Sequence, residues 1–217
     1  QEQGRDWERY ALIKARIITG PAAQAEQLMR SLRPFVFRRY IDFGVIDALR
    51  SMKAMINTEM RRRNLGDDVK LGPGGIREVE FIAQCFQLIR GGRSSALRQR
   101  ELLPVLQALI IEGCLPEQAV AELSEAYLFL RDTEHAIQGY EDKQTQTLPA
   151  AGPARAALLR ALGFADWESF SATLQAHRER VSQHFANLIA DPDEAPQLAA
   201  GNAIWPDAIE AQALQEL

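Results

Sequence analysis

The stretch KLGPGGIREVEFIAQCFQLIRGG, residues 70–92, holds the features that decide the fold. Its first glycines and its proline predict a tight turn, and the apolar residues that follow recur at three- and four-residue spacing, as in a helix. Gly91 and Gly92 predict the end of that helix. Because the helix predicted over residues 76–89 is unusually apolar, we expect it to lie centrally in a helical domain.

The same spacing extends over most of the chain, whereas alternating strand patterns are scarce, so the sequence predicts an all-α helical bundle. Asp166 is expected to be an N-cap and Gly163 a C-terminal cap. Residues 1–190 are expected to form one helical subdomain, and residues 191–217 a linker and the start of a further helical segment. The other predicted helices cover residues 7–19, 23–31, 35–64, 97–112, 116–139, 154–162 and 166–190.

The composition is that of a soluble globular protein, with 47% hydrophobic and 25% charged residues among 217. No apolar run reaches the ~20 residues that span a bilayer, and the N-terminus lacks the pattern of a signal peptide. Cys85 and Cys114 lie in apolar helical contexts and are expected to be reduced, which indicates a cytoplasmic protein without a zinc site.

Charge is unevenly distributed along the chain. Residues 1–110 contain 19 Lys/Arg and 12 Asp/Glu, a net +7, and residues 111–217 contain 6 and 17, a net −11. A basic half suits an anionic ligand such as a nucleotide phosphate, and it would also suit nucleic acid. A solvated helix surface explains the same asymmetry equally well.

The glycine-rich turn is the strongest local signal of a binding site. Gly74 and Gly75 would let the backbone approach a ligand, and free N–H groups at the start of the helix would attract an anion. Lys70 would add a point charge on a phosphate. The turn is not a Walker A loop, because the Gly-Lys-Ser/Thr ending is absent. Taken alone, such a stretch is more often a tight turn than a phosphate site.

The helix after the turn carries polar residues on one face. Arg77, Glu80 and Gln84 are spaced so that they share this face with Phe81. Buried charge is costly unless it is paired or used, so this stripe requires a reason. Either Arg77 and Glu80 stabilise the fold, or Arg77 binds phosphate while Glu80 or Glu78 orients it or helps to bind a metal ion. From the residues alone, the stabilising role is favoured.

A second motif, GRDWERYALIKAR, occupies residues 4–16. In the predicted helix Trp7 and Lys14 share one face and Arg16 lies on another, so that an aromatic ring beside a cation could bind a nucleotide. A tryptophan packed in the core with surface arginines explains the motif more simply. The paired carboxylates that hold Mg²⁺ in nucleotidyl transfer are missing, apart from residues 191–193 in the predicted linker and the weak candidate pair Asp67 and Asp68.

These motifs resemble the glutamine synthetase adenylyltransferase and adenylyl-removing enzyme family, in particular its N-terminal, deadenylylating half. The resemblance implies that the helical bundle is the C-terminal part of a nucleotidyltransferase-like catalytic domain, whose metal-binding sheet precedes residue 1. It also implies that the chain alone is inactive. The matching stretches are GRDWERYALIKARIITG (4–20), LRPFVFRRYIDFGVIDALRSMK (32–53), KLGPGGIREVEFIAQCFQLIRGGR (70–93), AYLFLRDTEH (126–135) and QTQTLP (144–149).

The resemblance further implies phosphorolysis of adenylyl-tyrosine on glutamine synthetase to ADP, with Mg²⁺ held mainly by residues outside this chain. The implied partners are glutamine synthetase, the PII signal protein and ATP, ADP or phosphate, with no nucleic acid and no membrane. The implied phosphate or nucleotide ligands are Lys14, Arg16, Lys70, Gly74, Gly75 and Arg77. Arg77, Glu80 and Lys14 would support catalysis, and Trp7, Glu8 and Gln84 would be structural residues at the cleft.

Two other functions remain open at this stage. The Lys-x-Gly-Pro-Gly-Gly motif is also similar to the uridylyltransferase of PII, which shares the implied architecture. A helical module that docks glutamine synthetase or PII without taking part in chemistry is the other alternative.

Overall fold

The computed structural model describes residues 6–39, 43–63 and 65–188. This part of the chain contains no β-strand beyond an isolated bridge between Asp68 and Thr147, so the all-α prediction is confirmed. A 3₁₀ turn at Ala96–Arg98 precedes α5. The helices are α1 (Asp6–Leu12), α2 (Ala22–Val36), α3 (Phe43–Arg63), α4 (Ile76–Arg90), α5 (Leu102–Ile111), α6 (Glu117–Gly139), α7 (Pro153–Leu162) and α8 (Trp167–Asn187).

The described residues form two compact units. The first unit takes its residues from 1–52 and 83–116, and the second from 53–82 and 117–200, so that α3 and α4 contribute to both. None of the described helices is long and apolar enough to cross a membrane. Residues 189–217 lie outside the described part, and the predicted boundary after residue 190 stays a prediction.

The core of the second unit is built around α6. Leu130 and Ile137 of α6 are buried together with Phe170 and Leu174 of α8 and Leu158 of α7. Burying each of these side chains contributes roughly 1.5–3 kcal/mol to folding. The resulting core also encloses the residues on either side of the glycine-rich turn, Val69 and Ile76. The glycine-rich turn is therefore anchored on both sides in the core formed by α6, α7 and α8.

The ends of α4, α7 and α8 agree with the sequence prediction. Asp166 accepts a hydrogen bond from the backbone N–H of Ser169 at 2.8 Å, as an N-cap does. Gly163 ends α7 in the left-handed conformation, with a φ of 76°. The helix predicted over residues 76–89 is observed as α4, which ends directly before Gly91.

The first helix is shorter than predicted. We expected a helix over residues 7–19, but α1 ends at Leu12, and the N–H groups of Ile13 and Ala15 close a turn onto Tyr10 and Leu12. The β-branched run Ile17, Ile18, Thr19 that follows has low helix propensity. Lys14 and Arg16 consequently lie after the helix instead of on its faces.

The helix predicted over residues 23–31 is longer in the structure and includes Pro34. α2 continues to Val36, because a proline close to the C-terminal end removes a single helical hydrogen bond. The side chain of Arg9 donates to the carbonyl oxygens of Phe35 at 3.1 Å and of Val36 at 3.4 Å, which stabilises this end. The predicted helix over residues 35–64 is observed only as α3, from Phe43 to Arg63.

The helix predicted over residues 97–112 is divided. Gln87 Nε2 donates to the carbonyl oxygens of Leu97 and Gln99, both at 2.7 Å, which occupies acceptors that a continuous helix would use. α5 begins only at Leu102. Pro104 then lies in the first turn of α5, where a missing N–H costs nothing.

Candidate functional site

The glycine-rich turn before α4 is closed by its own backbone. The N–H of Gly72 donates to the carbonyl of Asp68, and the N–H of Gly75 donates to the carbonyl of Gly72, each at 3.0 Å. The carboxylate of Asp68 accepts from the N–H groups of Lys70 at 2.8 Å and Leu71 at 2.7 Å. Asp68, which the sequence suggested as a weak metal candidate, thus uses its Oδ1 to cap this turn.

The first N–H groups of α4 are already hydrogen-bonded. This corrects the expectation that they are free to receive an anion, and the cause is that the turn folds its carbonyl groups back over the helix end. The pairs are Ile76 with Val69 at 3.2 Å, Arg77 with Lys70 at 3.0 Å, and Glu78 with Gly75 at 3.0 Å.

Gly74 and Gly75 are required for packing against protein backbone. Gly74 has a φ of +65°, and a Cβ there would collide with the backbone of Arg178 in α8. A Cβ on Gly75 would lie 2.7 Å from the carbonyl oxygen of Lys70. The close approach that the sequence led us to expect is therefore made by the protein itself, not by a ligand.

The carboxyl group of Glu78 is buried at this turn. The backbone N–H of Gly74 donates to its carboxylate, and Ser182 Oγ donates to Oε2 at 3.5 Å. The residue is 2% exposed, and burial raises the pKa of its carboxyl to about 7, although Lys53 and Arg178 favour the charged form. The sequence named Glu80 or Glu78 as the acid that would orient Arg77, and Glu78 is the one that is buried.

The loop before the turn is held by α8. Arg178 donates to the carbonyl oxygens of Gly66 at 2.7 Å and Asp68 at 2.8 Å. Lys53 of α3 donates to the carbonyl oxygens of Ala186 at 2.8 Å and Leu188 at 3.0 Å at the end of α8. These contacts order the turn from the side that faces α8.

Lys70 is held by a buried carboxylate from α6. Its Nζ lies 3.3 Å from Oε1 of Glu134, whose side chain is 2% exposed, while the side chain of Lys70 is 37% exposed. The other oxygen of Glu134 pairs with Nη1 of Arg131, whose side chain is 33% exposed. Nη2 of Arg131 lies 3.0 Å from Nε2 of His135. We call Lys70, Arg131 and Glu134 the Glu134 cluster.

A third segment meets the other two at this point. The N–H of Val69 donates to the carbonyl of Gln146, and the N–H of Leu148 donates to the carbonyl of Asp67, both at 2.9 Å. Residues 67–70, which lead into the glycine-rich turn, therefore contact both the stretch 126–135 and the stretch 144–149 within the second unit.

Glu80 and Tyr127 border the Glu134 cluster. Burial raises the pKa of the Tyr127 hydroxyl, which also feels the charges of Arg131, Glu80 and Glu134. Arg77 precedes Glu80 by one helical turn, and its side chain is exposed. Because Arg77 is exposed, its charge does not have the desolvation cost that was expected for a buried charge on this helix.

The predicted site residues at the N-terminal end lie in the first unit. Trp7 is 57% exposed and Arg9 is 1% exposed, which reverses the expected arrangement of a packed tryptophan and surface arginines. Arg9 is buried because it caps the end of α2. Glu8 and Lys14 are half-buried and Arg16 is exposed. That Lys14 and Arg16 share a site with Arg77 stays a prediction.

Sequence reasoning missed Arg131 and Glu134 as site residues, although a signal for Glu134 was present. Leu130, Glu134 and Ile137 recur at helical spacing, so a carboxylate stands where the pattern requires an apolar residue. Gln84, the remaining structural residue predicted at the cleft, is 6% exposed and belongs to the first unit.

The described residues do not fit a metal ion. Within them, no group of three or more His, Cys, Asp or Glu side chains comes together. The chemistry that the Glu134 cluster can offer is recognition of an anion by fixed cations. Such recognition suits a phosphate group.

Comparison with known proteins identifies related sequences. Residues 50–189 match the family model described as GlnD PII-uridylyltransferase. The chain is 57% identical over 194 residues to a bifunctional glutamine synthetase adenylyltransferase/adenylyl-removing enzyme of Pseudomonas putida, which covers 89% of this chain and 20% of that protein. A protein of the same name from Hahella chejuensis is 53% identical over 221 aligned residues, covering 100% and 23%. The chain therefore spans about a fifth of the length of the curated relatives it matches.

Proposed function

The chain belongs to the family that the GlnD PII-uridylyltransferase model describes and is homologous to the bifunctional glutamine synthetase enzymes, and we propose that it forms the helical part of a deadenylylating nucleotidyltransferase domain. In the proposed reaction, an oxygen of inorganic phosphate attacks the phosphorus of adenylyl-tyrosine on glutamine synthetase. The bond to the tyrosine oxygen breaks, and the products are ADP and unmodified glutamine synthetase. Such a reaction regulates nitrogen assimilation.

The observation that carries this proposal is the Glu134 cluster, in which one buried carboxylate of α6 pairs with both Lys70 at the glycine-rich turn and Arg131. Phosphorolysis brings a phosphate anion up to an adenylyl phosphate, and the two groups repel each other. Cations fixed in advance lower this cost, because they do not have to reorganise when the reacting groups arrive. Lys70 and Arg131 are held in this way by one buried carboxylate.

The proposed contribution of this chain is phosphate binding. Lys70 and Arg77 bind phosphate oxygens in the second unit, with Glu80 as an orienting partner. Lys14 and Arg16 are proposed phosphate ligands of the first unit. Mg²⁺ is proposed to be held mainly by residues outside this chain and would neutralise phosphate charge when bound. The chain is therefore expected to be inactive alone. The proposed surroundings are the cytoplasm, with PII and adenine nucleotides as further partners.

The test uses the full-length protein and adenylylated glutamine synthetase. Arg77→Ala should reduce phosphate-dependent ADP release by about a hundredfold, which is typical of losing a preorganised contact to a reacting oxyanion. Arg160→Ala, a change at another exposed arginine of the second unit, is the matched control and should leave the rate unchanged. Binding of glutamine synthetase should be unaffected in both variants. Unchanged ADP release in Arg77→Ala would contradict the proposal.

Uridylylation of PII is the second candidate, and the family match over residues 50–189 favours it. The two functions use different nucleotides and different protein substrates. Transfer of UMP from UTP to PII, without ADP release from adenylylated glutamine synthetase, would establish the second candidate and overturn the first. A docking module would instead lose glutamine synthetase binding in the Arg77 variant while turnover stayed the same.

A further inference from the structure

We propose that Arg131 of α6 is a further phosphate-binding residue and that the buried Glu134 positions it together with Lys70. The ligand is a phosphate group, either inorganic or part of a nucleotide. The inference rests on the proposed function for the reaction in which the phosphate takes part. The phosphate site itself is argued from the geometry of α6 and the glycine-rich turn.

The geometry is that of two cations on one carboxylate. Oε1 of Glu134 pairs with Lys70 at 3.3 Å, and Oε2 pairs with Arg131. Because each oxygen binds a different cation, the two positive groups are kept next to each other. Glu134 is 2% exposed, whereas the side chains of the two cations are 37% and 33% exposed, so both cations lie at the surface of the protein.

The hydrogen-bonding capacity of the cluster exceeds what Glu134 can accept. An arginine has five N–H donors and a lysine three, while a carboxylate offers about four acceptor positions. Arg131 directs Nη1 to Glu134 and Nη2 towards His135, so part of its donor capacity is used inside the protein. A phosphate group supplies the further oxygens that such donors prefer.

The charges of the Glu134 cluster also favour a bound anion. Within the Glu134 cluster, Lys70 and Arg131 carry two positive charges, and the Glu134 that pairs with both carries one negative charge. The cluster therefore has a net positive charge, and its two cations are fixed in advance, which favours a bound anion.

A purely structural salt bridge makes a different prediction. If the cluster served only to attach the turn to α6, its substitution would lower stability and leave phosphate affinity unchanged in the folded protein. If Glu134 positions the cations, its substitution lowers the affinity. If Glu134 acted only through its negative charge, its substitution would raise the phosphate affinity, because removing a carboxylate makes the surface more positive. The direction of the change in affinity therefore separates the three cases.

The first experiment needs no substitution. The full-length protein is modified with phenylglyoxal, an arginine reagent, with and without inorganic phosphate, ADP or adenosine, and the modified peptides are quantified by mass spectrometry. Phosphate or ADP should protect Arg131, whereas adenosine should not, and Arg160 is the exposed control that stays reactive. Protection by phosphate identifies the free anion as ligand, and protection by ADP alone identifies a nucleotide phosphate. Absence of protection by both, or equal protection by adenosine, would overturn the inference.

The second experiment tests positioning. Glu134→Gln should weaken binding of inorganic phosphate by about tenfold, the loss expected when charge-assisted contacts are no longer held in place. Circular dichroism establishes that the variant is folded, and Arg160→Ala again serves as the control. Equal or tighter phosphate binding in a folded variant would contradict the positioning role. If phosphate protects Arg131 but the protein releases no ADP from adenylylated glutamine synthetase, the proposed function is wrong and the phosphate site at Arg131 still holds.

Discussion

Lys70 Nζ lies 3.3 Å from Oε1 of Glu134, although 64 residues separate the two in the sequence. The pair joins the turn before α4 to the middle of α6. Because Glu134 is buried while Lys70 is partly exposed, the interaction is screened less than a surface ion pair.

A double-mutant cycle measures this coupling. Lys70→Met, Glu134→Gln and the double variant are expected to show a coupling in the free energy of unfolding of about 1–3 kcal/mol. The exposed pair Arg62 and Glu59 on α3, at 3.0 Å, is the matched control and should show no detectable coupling. Urea unfolding of the variants provides the data. Equal coupling in the two pairs would show that burial of Glu134 has no energetic consequence.

Glu78 should make stability depend on pH. Burial raises the pKa of its carboxyl from 4.5 to about 7. A group that binds its proton more tightly in the folded state stabilises the protein below its ordinary pKa, and this contribution is lost as the pH rises through the folded value. The free energy of unfolding is therefore expected to fall by up to roughly 3 kcal/mol across this range.

Glu78→Gln is the variant that checks this pH dependence. Glutamine keeps an acceptor for the N–H of Gly74 and carries no charge. The unfolding free energy of the variant, measured by urea titration at each pH, should change less with pH than that of the original protein. Identical slopes would show that another group causes the dependence.

Gly74→Ala should destabilise the second unit. The residue has a φ of +65°, and a Cβ would collide with the backbone of Arg178. Strain of this kind costs of order 1–3 kcal/mol, and the collision adds to it. Gly139→Ala at the end of α6 is the control, because nothing lies within 4 Å of a Cβ there. Thermal unfolding should show a lower midpoint for the first variant alone.

Arg9 should matter more for stability than Trp7. Arg9→Met removes the donors to the carbonyl groups at the end of α2 and is expected to cost about 1–3 kcal/mol. Trp7→Ala should cost less, because Trp7 is 57% exposed. Chemical denaturation of the two variants compares them. A larger loss of unfolding free energy in Trp7→Ala than in Arg9→Met would contradict this account and support the packed tryptophan that the sequence suggested.

Local signals were enough to predict the all-α class, α4, and the caps at Asp166 and Gly163. These features depend on the spacing of apolar residues and on the chemistry of neighbouring positions. The early end of α1 was missed although the β-branched residues 17–19 give a local signal for it, whereas the break before α5 was missed because it depends on contacts made after folding. Gln87, for example, binds the carbonyl of Leu97 ten residues away.

The candidate site was predicted in part. The role of Lys70 on a phosphate stays a prediction, and its partner on α6 follows only from the fold. Glu78, Glu134 and Arg178 share a recognisable pattern, since each is a charged residue in line with apolar residues of its own helix. These are Phe81 and Ile82 for Glu78, Leu130 and Ile137 for Glu134, and Leu174 and Val181 for Arg178. Such residues are the ones to examine first in a helical sequence, because a buried charge persists only when it is paired.

Isotopically labelled phosphate tests the central claim most directly. The full-length protein is incubated with adenylylated glutamine synthetase and ¹⁸O-labelled inorganic phosphate, and the nucleotide released is analysed by mass spectrometry. The account predicts ADP with the label in its β-phosphate, formed at least about tenfold more slowly by the Lys70→Ala, Arg77→Ala double variant. Release of AMP without label, or equal rates of labelled ADP formation in both proteins, would contradict it.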